Sequence, residues 1–172
     1  MHLKELIGTD LTTIPGIDAS SALKLVSEIG TDIRRWPTVK HFCAWLGLCP
    51  GTRISGGRRL SSHTSHSTNR AAKILRMSAS GLYRNDSVFG AHLRKMKARM
   101  GSVEATTATA HKMARTVYFM MVNKTSFQDP GGDYYEMQNH AKTLRYLRKK
   151  AHSLGYVLEK EELNLNNLEK VT

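Results

Sequence analysis

Apolar side chains in this sequence recur at steps of three and four, and nowhere alternate with period two over a useful length. The longest example runs from Ser102 to Asn123, where Val103, Thr107, Ala110, Ala114, Val117 and Met121 recur at alternating steps of four and three. An α-helix turns once in about 3.6 residues, so these positions form one stripe. A half-buried sheet would need the alternation that is missing. The pattern predicts an all-α fold.

Pro and Gly divide the N-terminal third into short pieces, at Pro15-Gly16, Gly30, Pro37, Gly47, Pro50-Gly51 and Gly56-Gly57. Asp18 is placed to cap a helix whose face is Ala22, Leu25, Val26 and Ile29. Thr38 caps a second, with Val39, Phe42, Cys43 and Leu46 facing a core. From Pro50 to about Thr68 periodicity stops, and Ser, Thr, Gly, His and Arg make a long loop. Such a loop inside a compact domain usually serves function. Helices then follow from Asn69 to about Tyr83 (Ala72, Leu75, Ala79) and from Val88 to Met100 (Phe89, Leu93, Met96). Asp129-Pro-Gly-Gly132 is a break. Beyond it Met137, Ala141, Leu144, Leu147, Ala151 and Leu154 mark a last helix, stopped by Gly155. The expected organisation is a helical region over 1–128 and a basic helix with its tail over 129–172.

A chain of 172 residues can bury one good core. Its charge narrows the partner. Twenty-six Lys and Arg against fourteen Asp and Glu leave +12, which favours an anionic partner, nucleic acid before all others. Residues 53–100 concentrate it, with eleven basic residues against the single acid Asp86. A membrane is not expected. No apolar run approaches the roughly 20 residues of a span, and the N-terminus lacks a signal peptide's apolar stretch. Two cysteines, Cys43 and Cys49, imply no disulfide framework and suit a reducing cytoplasm.

Three constellations bear on chemistry. In Leu11-Thr-Thr-Ile-Pro-Gly-Ile-Asp18, Gly16 permits a sharp turn between two short helices, the pattern of a helix-hairpin-helix element whose amides meet a phosphate. An ordinary packing turn is the alternative. In Arg53-Ile-Ser55-Gly56-Gly57-Arg58-Arg59, a serine beside two glycines is reachable by a bulky substrate, and the arginines can grip a phosphodiester. On spacing alone, a phosphate-gripping loop whose serine is only a polar linker residue is the favoured reading. The third is the basic track, in which Arg70, Lys73, Arg94, Lys95, Lys97 and Arg99 join the loop arginines. No metal site is expected: Cys43, Cys49, His63 and His66 lack a finger's spacing. A dyad of Ser55 with His63 or His66 has no nearby acid to orient it. The loop also lacks the Lys-Ser/Thr of a P-loop.

Together the segments resemble one family, the transposases of the insertion-sequence family one-ten. The matching text is Asp10-Leu-Thr-Thr-Ile-Pro-Gly-Ile-Asp18, Glu28-Ile-Gly30, His41-Phe-Cys-Ala-Trp-Leu-Gly-Leu-Cys-Pro50, Ile54-Ser-Gly-Gly57 and Asn69-Arg-Ala-Ala72. It continues through Phe89-Gly-Ala91, Arg94 to Gly101, Thr107 to Lys112 and Ala114-Arg115, so it runs from about Asp10 to Leu158. The resemblance implies DNA recombination guided by a structured RNA, with a serine that attacks a phosphodiester and forms a phosphoserine link. Carried onto this chain, that nucleophile is Ser55, and the leaving strand ends in a 3′-hydroxyl. The family's RuvC-like DEDD domain, with its Mg²⁺, is not in this sequence, so no cofactor is expected in the chain itself. DNA, a guide RNA and, in the full-length protein, further copies of the protein are the partners implied. The family's basic, Gly-containing segment after the serine is replaced here by Leu60-Ser-Ser-His-Thr-Ser-His66. The competing function is a non-catalytic helix-hairpin-helix module that binds DNA or RNA.

Overall fold

The computed structural model describes residues 3–49, 51, 53–61 and 69–160. The chain divides into two units, one reaching Tyr135 and one beginning at Glu136. The first holds helices α1 (Leu3–Ile7), α2 (Ala19–Ile29), α3 (Val39–Trp45), α4 (Arg70–Ser80), α5 (Val88–Met100) and α6 (Ser102–Asn123). Helix α7 (Gly131–Ser153) starts there and runs on into the second. Single 3-10 turns at Leu11–Thr13, Ile33–Arg35 and Gly81–Arg84 join some of them. The class is all-α, as the periodicity requires.

Capping sets the helix starts. The Asp18 carboxylate accepts from the Ser21 amide at 2.7 Å, and Asn69 accepts from the Ala72 amide at 3.2 Å. Thr38 caps α3, and the Ser87 hydroxyl takes the Gly90 amide at 3.1 Å to open α5. The expected stripes of α2, α4 and α5 face inward: Ala22, Leu25, Val26, Ile29, Ala72, Leu75, Ala79, Phe89 and Leu93 are buried.

Helix α6 is the centre, packed against α3, α4 and α5. Its buried side is broader than the single stripe read from sequence, taking in Ala105, Thr109, Met113, Tyr118 and Met120 as well as Ala110, Ala114, Val117 and Met121. Two positions of that stripe are not buried: Thr107 is half-buried, and Val103, in the first turn, is 76% exposed. An aromatic group closes one end, with Trp36 5.0 Å from Phe42 and the Tyr118 hydroxyl donating to the Trp36 carbonyl at 3.0 Å.

Two features differ from the sequence expectation. Helix α7 begins inside the Asp129-Pro-Gly-Gly break, not beyond it. The Asp129 carboxylate accepts from both the Gly131 amide (2.9 Å) and the Val88 amide (3.0 Å), so one side chain serves the starts of α5 and α7. The second is a hairpin in the supposed loop, where β1 (Arg53–Ser55) pairs antiparallel with β2 (Arg58–Ser61).

Candidate nucleic-acid interface

The hairpin carries the serine. Ser55 stands opposite Arg58 and Ile54 opposite Arg59, with a register irregularity between Arg53 and Ile54. Gly56 and Gly57 form the two-residue turn, at φ +54° and +75°. Positive φ at both central positions defines the type I′ turn, whose twist matches that of a hairpin. Directly opposed residues present their side chains on one face. Ser55 and Arg58 therefore share a face at the exposed tip. The side chains of Arg53 and Arg59, and residues His63 and His66, lie outside the described part of the chain.

The excursion that carries the hairpin leaves from α3 and returns at α4, and both ends are tied down. The Asn69 side-chain amide donates to the Trp45 carbonyl at 3.4 Å, and the Arg76 guanidinium donates to the Gly47 carbonyl at 3.4 Å. Cys49 lies against α6, its Sγ 3.9 Å from Nε2 of His111. Burial raises the thiol pKa of Cys49 and pushes that of Cys43 up to about 12, so both are neutral packing groups.

The Pro-Gly turn makes a second feature. Asp10 caps the 3-10 turn before it, and its hydrogen bonds to the Thr12 hydroxyl and amide hold its carboxyl below the ordinary carboxylate range. The Ile17 amide then donates to the Ile14 carbonyl at 3.0 Å. With Pro15 second, and Gly16 third at φ +85°, this is the pattern of a type II turn. A Cβ on Gly16 would stand 2.9 Å from the Ser78 carbonyl oxygen, so the turn is pressed onto α4. Between turn and helix runs an open groove of about 570 Å³, walled by Thr13, Gly16 and Lys24 on one side and Ile74 and Met77 on the other. The element before the turn is a single 3-10 turn, where the helix-hairpin-helix pattern has a helix.

The basic track divides between fold and surface. Arg94 is committed to the fold, donating to the carbonyls of Tyr83 (3.2 Å) and Asn85 (2.9 Å) and lying 3.9 Å from Asp86. Arg70 sits 3.5 Å from Glu28 of α2, and the Lys97 ammonium is 4.4 Å from the centre of the Tyr83 ring. Lys73, Lys95 and Arg99 are exposed. Sequence reasoning gave no site role to Lys24, at the groove, or to His111 and Arg115 of α6, which it named only within the segments that carry the resemblance. The signal for that pair was available: two polar residues four apart, beside a run of small buried ones.

Among the described residues no cluster of three or more His, Cys, Asp or Glu side chains could hold a metal ion. None of the described helices is long and apolar enough to cross a membrane.

Against this geometry, the family model for the transposases of the IS116/IS110/IS902 family matches residues 8–93. That half of the chain contains the Pro-Gly turn, its groove, the serine hairpin and α4. No curated protein and no solved structure matches the chain. The chain belongs to the IS116/IS110/IS902 family of transposases.

Proposed function

We propose that this chain is the domain that grips DNA and supplies the serine nucleophile for strand cleavage and rejoining. A transposase role follows from the family; the chemistry assigned to Ser55 rests on the hairpin. The observation that carries it is the pairing of Ser55 with Arg58 on one exposed face at a Gly-Gly turn. A hydroxyl there is open to a duplex, and a guanidinium beside it can neutralise charge that grows on the attacked phosphate.

In the step proposed, Ser55 Oγ attacks phosphorus and the bond from phosphorus to the 3′-oxygen breaks. The serine proton ends on that leaving oxygen, giving a 3′-hydroxyl and a phosphoserine ester. An incoming 3′-hydroxyl reverses the step on a new strand, so no high-energy cofactor is consumed. The Mg²⁺ of the family's DEDD domain has no ligand set among the described residues, and no step is routed through it. A structured guide RNA and self-association belong to the same proposal, as features of the family in its full-length form.

One observation favours a second reading, that of a binding module. The groove at the Pro-Gly turn, lined by the turn's backbone and by Lys24 beside Asp18, is open to a nucleic-acid backbone without any part played by Ser55. The two readings part at Ser55→Ala, tested in a full-length protein supplied with its DEDD half and guide. DNA affinity should stay near the parent's, because a neutral hydroxyl contributes little to phosphate binding. The covalent protein–DNA adduct and strand exchange should vanish. Arg58→Ala should weaken binding and slow cleavage together. Recombination surviving in Ser55→Ala would move the nucleophile elsewhere, with Ser61 and Ser62 the next candidates, and would leave Ser55 with no chemical part.

A further inference from the structure

Helix α6 carries a feature that the serine hairpin leaves unused. His111 and Arg115 lie one turn apart on one side of the helix, next to the buried Ala110 and Ala114. Through its contact with Cys49, His111 abuts the foot of the serine excursion, since β1 begins only four residues further on, at Arg53. This side of α6 therefore faces the place where chain enters the hairpin.

The charge there has no carboxylate partner among the described residues. Burial lowers the pKa of His111, and the neighbouring Arg115 lowers it further, so the ring is neutral at pH 7. The Arg115 charge also acts on the Cys43 thiol. Arg34, Arg70 and Arg94 each have a carboxylate within 4.0 Å, at Asp32, Glu28 and Asp86. Arg115 is exposed and has no such partner among the described residues.

We propose that Arg115, beside His111 at the foot of the serine hairpin, is a phosphate-binding residue that takes a phosphodiester of the DNA backbone from the α6 side. The inference rests on the DNA-binding reading above and adds a contact outside residues 53–100. A guanidinium offers a planar fork to two phosphate oxygens. The neutral His111 ring beside it adds no second charge, so the guanidinium is the cation offered to the phosphate on this side of the helix. DNA held there would be gripped on the excursion's fixed side as well as at its tip, which would fix the tip's approach to the strand.

The test titrates the 172-residue chain with a duplex DNA oligonucleotide over a salt series, while following the His111 ring proton by NMR. Arg115→Gln should bind roughly five- to tenfold more weakly near 0.1 M salt, with the slope of log K against log salt shallower by about 0.9. Arg115→Lys keeps the charge and should keep the slope. The His111 signal should move on adding DNA to the parent and stay in place in Arg115→Gln, which still binds through its other cations. Parent-like slope and His111 response in Arg115→Gln would overturn this inference and leave the DNA reading intact. A loss seen only with double-stranded RNA of the same length would overturn the assignment to DNA. A parent chain that binds no DNA would overturn both readings. The side chain is exposed, so each variant should melt with the parent, and a melting curve verifies that.

Discussion

His92 lies half-buried where α5 meets α6, its Nδ1 3.0 Å from the Thr109 hydroxyl and its ring edge-on to Tyr135. Burial is the main reason its pKa falls to about 4, and the charges of Lys112, Lys95 and His111 push the same way. The unfolded chain would protonate this ring near 6.5, the folded chain only near 4. Between those values the unfolded state holds a proton that the folded state refuses, so stability falls as pH falls through that window and is level above it. His111, shifted in the same direction, adds to the slope. The capping aspartates Asp10, Asp18 and Asp32 have carboxyls already below their ordinary range, so their loss comes at lower pH. Melting temperatures measured from about pH 7 down to about pH 4.5 should therefore decline, and His92→Gln should flatten much of the decline. An equal slope in His92→Gln would place the titrating group elsewhere.

The hairpin and the Pro-Gly turn use the same device, a glycine at positive φ, to opposite ends. At Gly57 a Cβ would meet nothing within 4 Å, so the glycine answers only to the turn. At Gly16 the Ser78 carbonyl is in the way as well. Gly16→Val should cost roughly 1–3 kcal/mol of global stability, from strained backbone and displaced packing together. Gly57→Val should leave the melting temperature almost unchanged while amide exchange over residues 53–61 speeds up and cleavage is lost. Equal thermal effects would show that the hairpin is packed into the core after all. The same contrast explains what sequence could tell. Asp18, Thr38 and Asn69 cap helices with their own side chains, each reaching an amide three residues on, so the starts of α2, α3 and α4 were legible. The hairpin was missed, because strands of three and four residues are too short for a periodicity search, although Gly-Gly between two short strands is a known turn signal. The start of α7 was not legible, because its cap also serves the start of α5, 41 residues away in sequence. Arg94 and Arg58 look alike in a sequence. Only the carbonyls of Tyr83 and Asn85 show that Arg94 belongs to the fold.

For the whole molecule, that sorting of cations sets how steeply DNA binding should depend on salt. Eleven basic residues lie between 53 and 100, and if all met phosphate the slope of log K against log salt would be near about −10. The fold claims several of them. Arg94 and Arg76 donate to backbone carbonyls, Arg70 sits beside Glu28, and Lys97 rests on the Tyr83 ring. Arg58, Lys73, Arg84, Lys95 and Arg99 are exposed, and Arg115 of α6 joins them. Those six contacts give a slope of roughly −5, at about −0.9 for each phosphate neutralised, and Arg53 and Arg59 of the hairpin bring it to roughly −7 if they meet phosphate as well. Two substitutions separate the classes. Lys95→Gln should make the slope shallower by about 0.9 and leave the melting temperature alone. Arg94→Gln should do the reverse, lowering the melting temperature because the Tyr83 and Asn85 carbonyls lose their donor, with little change in slope. A parent slope near zero would remove phosphate contacts as the basis of binding. A slope of about −10 would mean that the arginines held by the fold let go of it when DNA arrives, and that Arg94 is a ligand of DNA as much as a brace of α5.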